Sequence, residues 1–196
     1  MGFQAAGRRC TVTVKGFYSD LDDYIYQQGK KTKASHQTWT NIDAHLYGAD
    51  VRAMIELVSD FSLEAAAYQR GRKDSQPDGN NDKDLAQIPP LKTRIALHYN
   101  DPDFFGTLEW IWSKKADHAD TDAGEIRLSG WNVVNLRGGY QLNRHLTINV
   151  GIDNIFDEHY AVANSYEWDV ASGSGAAPAV VYEPGRFFYA TISCMF

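Results

Sequence analysis

The chain has 196 residues, 43% hydrophobic and 13% aromatic, with a formal net charge of −6. That acidity argues against a nucleic-acid partner, and the apolar content is neither that of a disordered chain nor that of a helical membrane protein. Mean hydropathy is −0.44; no run approaches the ~18 apolar residues of a spanning helix, a test that a spanning strand of ~9–11 residues escapes because only every second side chain meets lipid.

Side chains two apart share one face of a strand, and alternation of apolar and polar residues marks about eight segments. Residues 10–19 set Cys10, Val12, Val14 and Tyr18 against Thr11, Thr13 and Lys15. Residues 41–57 set Val51, Ala53, Ile55 and Leu57 against Asp50, Arg52 and Glu56, and residues 61–71 alternate less regularly. In 91–99, Ile95, Leu97 and Tyr99 oppose Lys92, Arg94 and His98; in 104–112, Leu108, Trp110 and Trp112 oppose Thr107 and Glu109. Residues 131–142 set Val134, Leu136 and Tyr140 against Asn135, Arg137 and Gln141. Residues 145–156 are the most regular, with Leu146, Ile148, Val150 and Ile152 against Thr147, Asn149, Gly151 and Asp153. In the terminal segment 185–196, Phe188, Ala190, Ile192, Cys194 and Phe196 share a face.

The connections alternate in length. Residues 58–60, 100–103 and 143–144 are tight turns rich in Asn and Asp, whereas 20–40, 72–90, 113–130 and 157–186 are long polar spans. Such long spans are uncommon in compact soluble domains. Tight turns at one end and long loops at the other are the layout of an outer-membrane barrel.

Alternation does not say which face points inward. A soluble barrel hides its apolar face; a membrane barrel turns it to lipid and keeps charges in the lumen. Lys15, Asp50, Arg52, Lys92, Arg94, Glu109 and Arg137 stand at mid-strand, and aromatic residues gather near strand ends, where amphipathic rings anchor a protein at a bilayer interface. These features favour the membrane arrangement. Lys15, Asp50, Arg52, Lys92, Arg94, Glu109 and Arg137 are then lumen-facing. Val12, Val14, Leu108, Trp110, Trp112, Leu136, Leu146, Ile148, Val150, Ile192 and Phe196 are lipid-facing.

No catalytic set is present. The six histidines are scattered, without HExxH or paired ligand spacing. His45 shares a strand face with Asp43 and reads as a polar lumen pair. Residues 78–84 lack the spacing of a calcium loop, and Asp117, His118, Asp120 and Asp122 form an acidic external loop that needs no cation to exist. The expectation is a non-enzyme without cofactor.

Residues 150–162 and 183–196 resemble the C-terminus of a TonB-dependent outer-membrane receptor. Asn154, Ile155, Phe156, Asp157 and Tyr160 match the first part of that ending, and Pro184, Gly185, Arg186 and Phe196 the second. Residues 88–99 and 41–57 are similar to upstream strands of the same family. Cys194 departs from the pattern, since a bulky residue commonly stands two before the terminal Phe. The resemblance implies an all-β fold: an antiparallel up-and-down transmembrane β-barrel of about eight strands. Residues 1–196 would be one barrel domain without a plug, the C-terminal part of a barrel of ~22 strands. It implies the bacterial outer membrane, contact with lipid or detergent, and a parent receptor importing a siderophore, haem or metal complex through the TonB system. Tyr166 and Trp168 are candidate ligand contacts on an external loop. Taken alone, a small barrel has a lumen filled by side chains and no transport activity.

Cys10 begins the first segment and Cys194 lies near the end of the last, both on the apolar face at the tight-turn end. If an even number of strands closes on itself, these become neighbours with Cβ atoms ~4.5–5.5 Å apart. A Cys10–Cys194 disulfide stapling that seam and two free apolar thiols are the alternatives. The competing fold is a soluble antiparallel barrel binding a small apolar ligand, in which Leu146, Ile148, Val150 and Ile152 would pack together inside.

Overall fold

Alternating side chains favour strands over helices, and the computed structural model describes strands and no helix over residues 2–7, 9–28, 38–56, 61–64, 67–74, 82–167 and 179–195. In chain order these are β1 (Gly2–Ala6), β2 (Cys10–Gln28), β3 (Thr38–Glu56), β4 (Phe61–Glu64), β5 (Ala67–Lys73), β6 (Lys92–Asn100), β7 (Phe104–Ser113), β8 (Trp131–Asn143), β9 (Leu146–Asp153), β10 (Tyr166–Glu167), β11 (Ala179–Val180) and β12 (Phe187–Cys194). One antiparallel sheet runs β1-β2-β3-β4-β6-β7-β8-β9-β12, with β5 also paired to β3. β4 and β5 both pair antiparallel with β3, their registers offset by one residue, from Met54↔Glu64 to Asp50↔Ala67. β10 and β11 form a separate two-stranded ribbon within the last long loop. The expected turn 58–60, Trp168 and Phe196 lie outside the described residues.

β2 and β3 each span 19 residues, so much of the expected loop 20–40 is ladder, continuing to Gln28↔Thr38. Alternation fails there for a local reason. The register shifts between Leu21 and Tyr24, and Asp23 takes a positive φ of 55° while its N–H donates to Asp43 Oδ1 at 3.3 Å. A bulge of this kind inserts one residue and restores the same facing beyond it. Leu21 and Tyr26 therefore look the same way, although an odd number of positions separates them. β1, in which apolar and polar residues do not alternate, was not expected; Ala6 pairs Thr11 and Gly2 pairs Lys15.

The register also divides the side chains between two faces. Buried Tyr26, Ile42, Ala44 and Leu85 form a core at the long-loop end, with Leu21, Ile88 and Ala123 packed against it. This face, onto which the loops fold, is the inner one. Leu108, Val150 and Ile192 stand on the opposite, outer face with relative exposures of 46%, 54% and 66%.

Cys10 and Cys194 are both free, the second of the two alternatives. β1 occupies the edge of β2 that a first-to-last seam would need, and Gly7 N–H donates to Cys10 O at 2.6 Å. Among the described residues β12 pairs only with β9. Alkylation of the denatured, unreduced protein is expected to add two labels, with or without prior reductant; a mass lacking both labels until reduction would show a disulfide.

Candidate functional site

Cross-strand partners point the same way, so the ladder assembles the predicted charges on the inner face. Lys15 lies opposite Asp50, and Arg52 Nε is 3.3 Å from Asp50 Oδ1. Glu109 is buried; it accepts from Asn135 Nδ2 at 2.8 Å and from Arg94 Nε. Arg137 donates to Asp153 Oδ1 through Nη2 at 2.9 Å and Nε at 3.1 Å, with Nη1 3.8 Å from Glu109 Oε1. A buried carboxylate is tolerable only when paired and hydrogen-bonded, and the arginines on β6 and β8 satisfy that condition. Lys92 belongs to the same face, with Nζ 5.4 Å from the Trp131 ring centroid. Val12, Val14, Leu108, Trp110, Trp112, Leu136, Leu146, Ile148, Val150 and Ile192 fall on the outer face by the same registers.

His45 departs from expectation. It and Asp43 alternate onto the outer face, at the long-loop end. The His45 ring stacks between Tyr18 and Tyr47, with centroids 6.0 and 5.9 Å away, and Nδ1 contacts Asp74 Oδ1. It is not a lumen pair with Asp43.

At the long-loop end the inner face carries a second polar assembly, which no sequence pattern announced. Lys73 and Asp120 have side chains 0% exposed, with Nζ and Oδ2 2.8 Å apart. Lys73 Nζ also donates to Tyr26 Oη at 3.3 Å. The acidic residues nearby accept hydrogen bonds from backbone amides. Asp120 Oδ1 accepts from the amides of Asp122 and Ala123, both at 3.2 Å. Asp82 accepts from Thr121 N, Thr121 Oγ1 and Asp84 N, and Glu125 from Gln87 N and Asp120 N. Among the described residues no cluster of His, Cys, Asp and Glu is disposed to hold a metal ion. These bonds join residues 82–87 to 120–125, and the Lys73–Asp120 pair ties that block to β5.

The last long loop is closed at its base by residues singled out from the sequence. Asn154, at a positive φ of 53°, donates its N–H to Asn135 Oδ1 at 2.9 Å, and its side chain both accepts from Glu158 N and donates to Glu158 O at 2.8 Å. Asp157, also at positive φ, accepts Arg186 N–H on Oδ1 at 2.7 Å. A Cβ on Gly185 would lie 2.6 Å from that oxygen, so the close approach requires glycine. Trp131 packs on Tyr160 with centroids 4.5 Å apart. Tyr166 is half-buried, and burial, with the nearby Glu125, pushes its hydroxyl up to about 12.

Residues 2–155 match the family model described as TonB dependent receptor-like, beta-barrel. The chain belongs to that family. A TonB-dependent heme receptor A of Haemophilus influenzae is 26% identical over 146 residues, covering 66% of the chain and 19% of that receptor. A ferric enterobactin receptor of Pseudomonas aeruginosa is 31% identical over 96 residues, 46% of the chain and 13% of that receptor. The solved copper transporter OprC superposes over 100% of the chain and 30% of its own, with TM-score 0.86 and 27% identity. The unliganded ferric citrate transporter FecA, at 17% identity and TM-score 0.72 over 98% of the chain and 30% of its own, shares the fold. The chain thus spans about a fifth or less of these curated relatives and under a third of the solved transporters. In this chain the Asn154–Asp157 and Pro184–Arg186 stretches are the two halves of one clasp.

Three outcomes follow from this geometry. Lys73→Met or Asp120→Leu alone leaves a buried partner uncompensated and should lower the opening free energy of the 114–130 loop by roughly 3–5 kcal/mol, while the double substitution should recover only part of that loss, the Asp122 and Ala123 amides still lacking their acceptor; hydrogen exchange at the Thr121 amide reads all three. Burial pushes Asp82 upward, but the Asp84 and Thr121 donors outweigh it and hold its carboxyl below the usual 3.8. A lowered carboxyl stabilises the fold above its unfolded value, and that contribution is lost as pH falls through the folded one. Burial moves Asp120 the opposite way, so the effect is to be read at the Asp84 and Thr121 amides, which should lose protection below pH 3.8. Gly185→Ala should cost about 1–3 kcal/mol at the clasp by displacing the Asp157 bond, seen as faster exchange of the Arg186 amide.

Proposed function

We propose that this chain is one barrel domain, the C-terminal wall of an outer-membrane receptor that imports a siderophore, haem or metal complex with energy from the TonB system. The observation that carries this reading is the sorting of side chains: paired charges on the inner face and exposed aliphatic and aromatic residues on the outer one. In water such an outer face is a liability; in hydrocarbon it is the favourable surface. β6, β7 and β9, with 9, 10 and 8 residues, have about the length that a tilted spanning strand requires. β2 and β3 project past that length, so their long-loop halves and the Lys73–Asp120 block stand outside the bilayer. Lys92, Arg94, Glu109 and Arg137 line the lumen on this reading, and Val12, Leu136, Ile148 and the other outer-face residues meet lipid.

Ligand capture belongs to the loop end, where Tyr166 pairs with Val180 in the β10–β11 ribbon near Glu125. The names of the related receptors, which include haem, ferric enterobactin and copper carriers, support a scarce metal or its complex as cargo. The plug and the remaining strands would come from parts of the receptor outside this sequence. Alone, the chain supplies a wall rather than a passage and imports nothing.

Purified protein is expected to need detergent and to show heat-modifiable gel mobility; monodispersity without detergent would defeat the membrane reading. In a strain deprived of its own uptake systems, the intact receptor should restore growth on its iron or metal complex only when TonB is present. The 196-residue chain expressed alone should not. Growth independent of TonB would overturn the energy source, and growth with the short chain would overturn its role as a wall.

A further inference from the structure

At one height of the outer face, Tyr99, Gly106, Gly138, Val150 and Ala190 are successive register partners across β6, β7, β8, β9 and β12. The neighbouring rows are bulky, with Leu108 opposite Leu136 on the loop side and Phe104 opposite Tyr140 on the turn side, all four exposed. Between them lies a trough of about 900 Å³.

Glycine within a strand weakens it and marks a place where another group approaches the backbone. Inner-face glycines have such a group within the chain. A Cβ on Gly139 would lie 2.2 Å from Phe105 Cζ, and one on Gly151 2.3 Å from Tyr189 Cζ, so an aromatic ring covers each. Gly106 and Gly138 differ. An added Cβ would meet backbone oxygens at 3.6 and 3.2 Å, and the nearest side-chain atom is Phe104 Cε1, 3.9 Å from the Gly106 position. The pair opens outward.

We propose that this trough is a binding site for one lipid acyl chain, drawn from the leaflet on the tight-turn side. Gly106 is close to the turn-side end of β7, which places the trough in that half of the wall. From Tyr99 to Ala190 it crosses four strand spacings, about 19 Å at ~4.8 Å each, enough for an extended long acyl chain. Its outer-face walls are hydrocarbon and ring, and the Tyr99 and Phe104 rings, 5.9 Å apart between centroids, stand at its turn-side corner. A protein strand would need free ladder groups, whereas β7 and β8 are paired on both edges. Only apolar contact is on offer, which an acyl chain matches.

This inference rests on the outer face meeting the bilayer and not on which ligand the receptor imports. The test is native mass spectrometry of the detergent-purified receptor containing this chain, titrated with palmitoyl-oleoyl phosphatidylethanolamine. Wild type should retain a single lipid. Gly106→Leu fills the trough and should weaken retention roughly tenfold, the effect of withdrawing about two methylenes from apolar contact. Ala53→Leu, on the outer face of β3 away from the trough, should retain lipid as wild type does. Gly106→Ala adds only a methyl at ordinary contact distance and should show a smaller loss, so the proposal stays testable should the leucine variant fail to fold. Equal retention in wild type and the Gly106 variants, no retained lipid in wild type, or a second receptor copy in place of lipid would each overturn it. Heat-modifiable mobility, measured in parallel, separates failure of the trough from failure of the membrane reading.

Discussion

In hydrocarbon there is no water to satisfy a backbone amide or carbonyl, so a spanning segment must pair every one of them within the protein. The continuous ladder from β1 to β12 meets that demand between neighbours, and the side chains are then sorted by the pleat alone. Residues on the inner face are polar because they can pair with one another there. Glu109 shows the limit of that freedom: it is buried and depends on Arg94 and Asn135 from the strands on either side. One strand's polarity is thus underwritten by its neighbours' register, and a slip by one residue would strand the carboxylate on the outer face.

The same chain follows a second rule once it passes the spanning length. On β2 and β3 beyond the Leu21–Tyr24 shift, the inner face becomes apolar, with Tyr26, Ile42 and Ala44 buried beneath Leu85. On the proposed reading this part stands beyond the bilayer, where water lies outside and the hydrophobic effect works in its ordinary direction. The bulge at the boundary keeps the facing constant while the strand continues. The Lys73–Asp120 pair sits inside this small core. Desolvating two charges offsets much of their attraction, so the pair is better understood as fixing where the 114–130 loop docks than as a source of stability.

What the sequence disclosed, and what it hid, divides along the same boundary. Strands such as 145–156, with Leu146, Ile148, Val150 and Ile152 against polar partners, were legible because the pleat has period two and one face is uniformly apolar. The charged inner residues were legible for the same reason. The extensions of β2 and β3 were not, because Asp22 and Asp23 break the alternation and read as loop. Lys73 and Asp120 gave no signal, since 47 residues separate them and only the folded loop brings them together. β1 was invisible because it barely alternates, and its presence at the edge of β2 removed the basis for pairing Cys10 with Cys194. His45 was misplaced because sharing a face with Asp43 says nothing about which face that is.

The motif that suggested the family acquires a physical meaning from the clasp. Two short stretches of the chain meet there: Asp157 accepts the Arg186 amide from 29 residues further on. The residue types follow from the geometry. Asn and Asp tolerate the left-handed backbone at 154 and 157 better than other non-glycine residues, and both have side-chain oxygens that accept the amides the turn exposes. Gly185 is set by the oxygen it must pass. Pro184 can stand beside it because its missing N–H is not needed for any of these bonds. Above the clasp the two arms of the last long loop are also joined by the β10–β11 ribbon and by the bond from Glu183 N–H to Tyr160 O. Fastening the loop at its base adds the Asp157–Arg186 and Asn154–Pro184 contacts to the ladder that sets the register of the last hairpin.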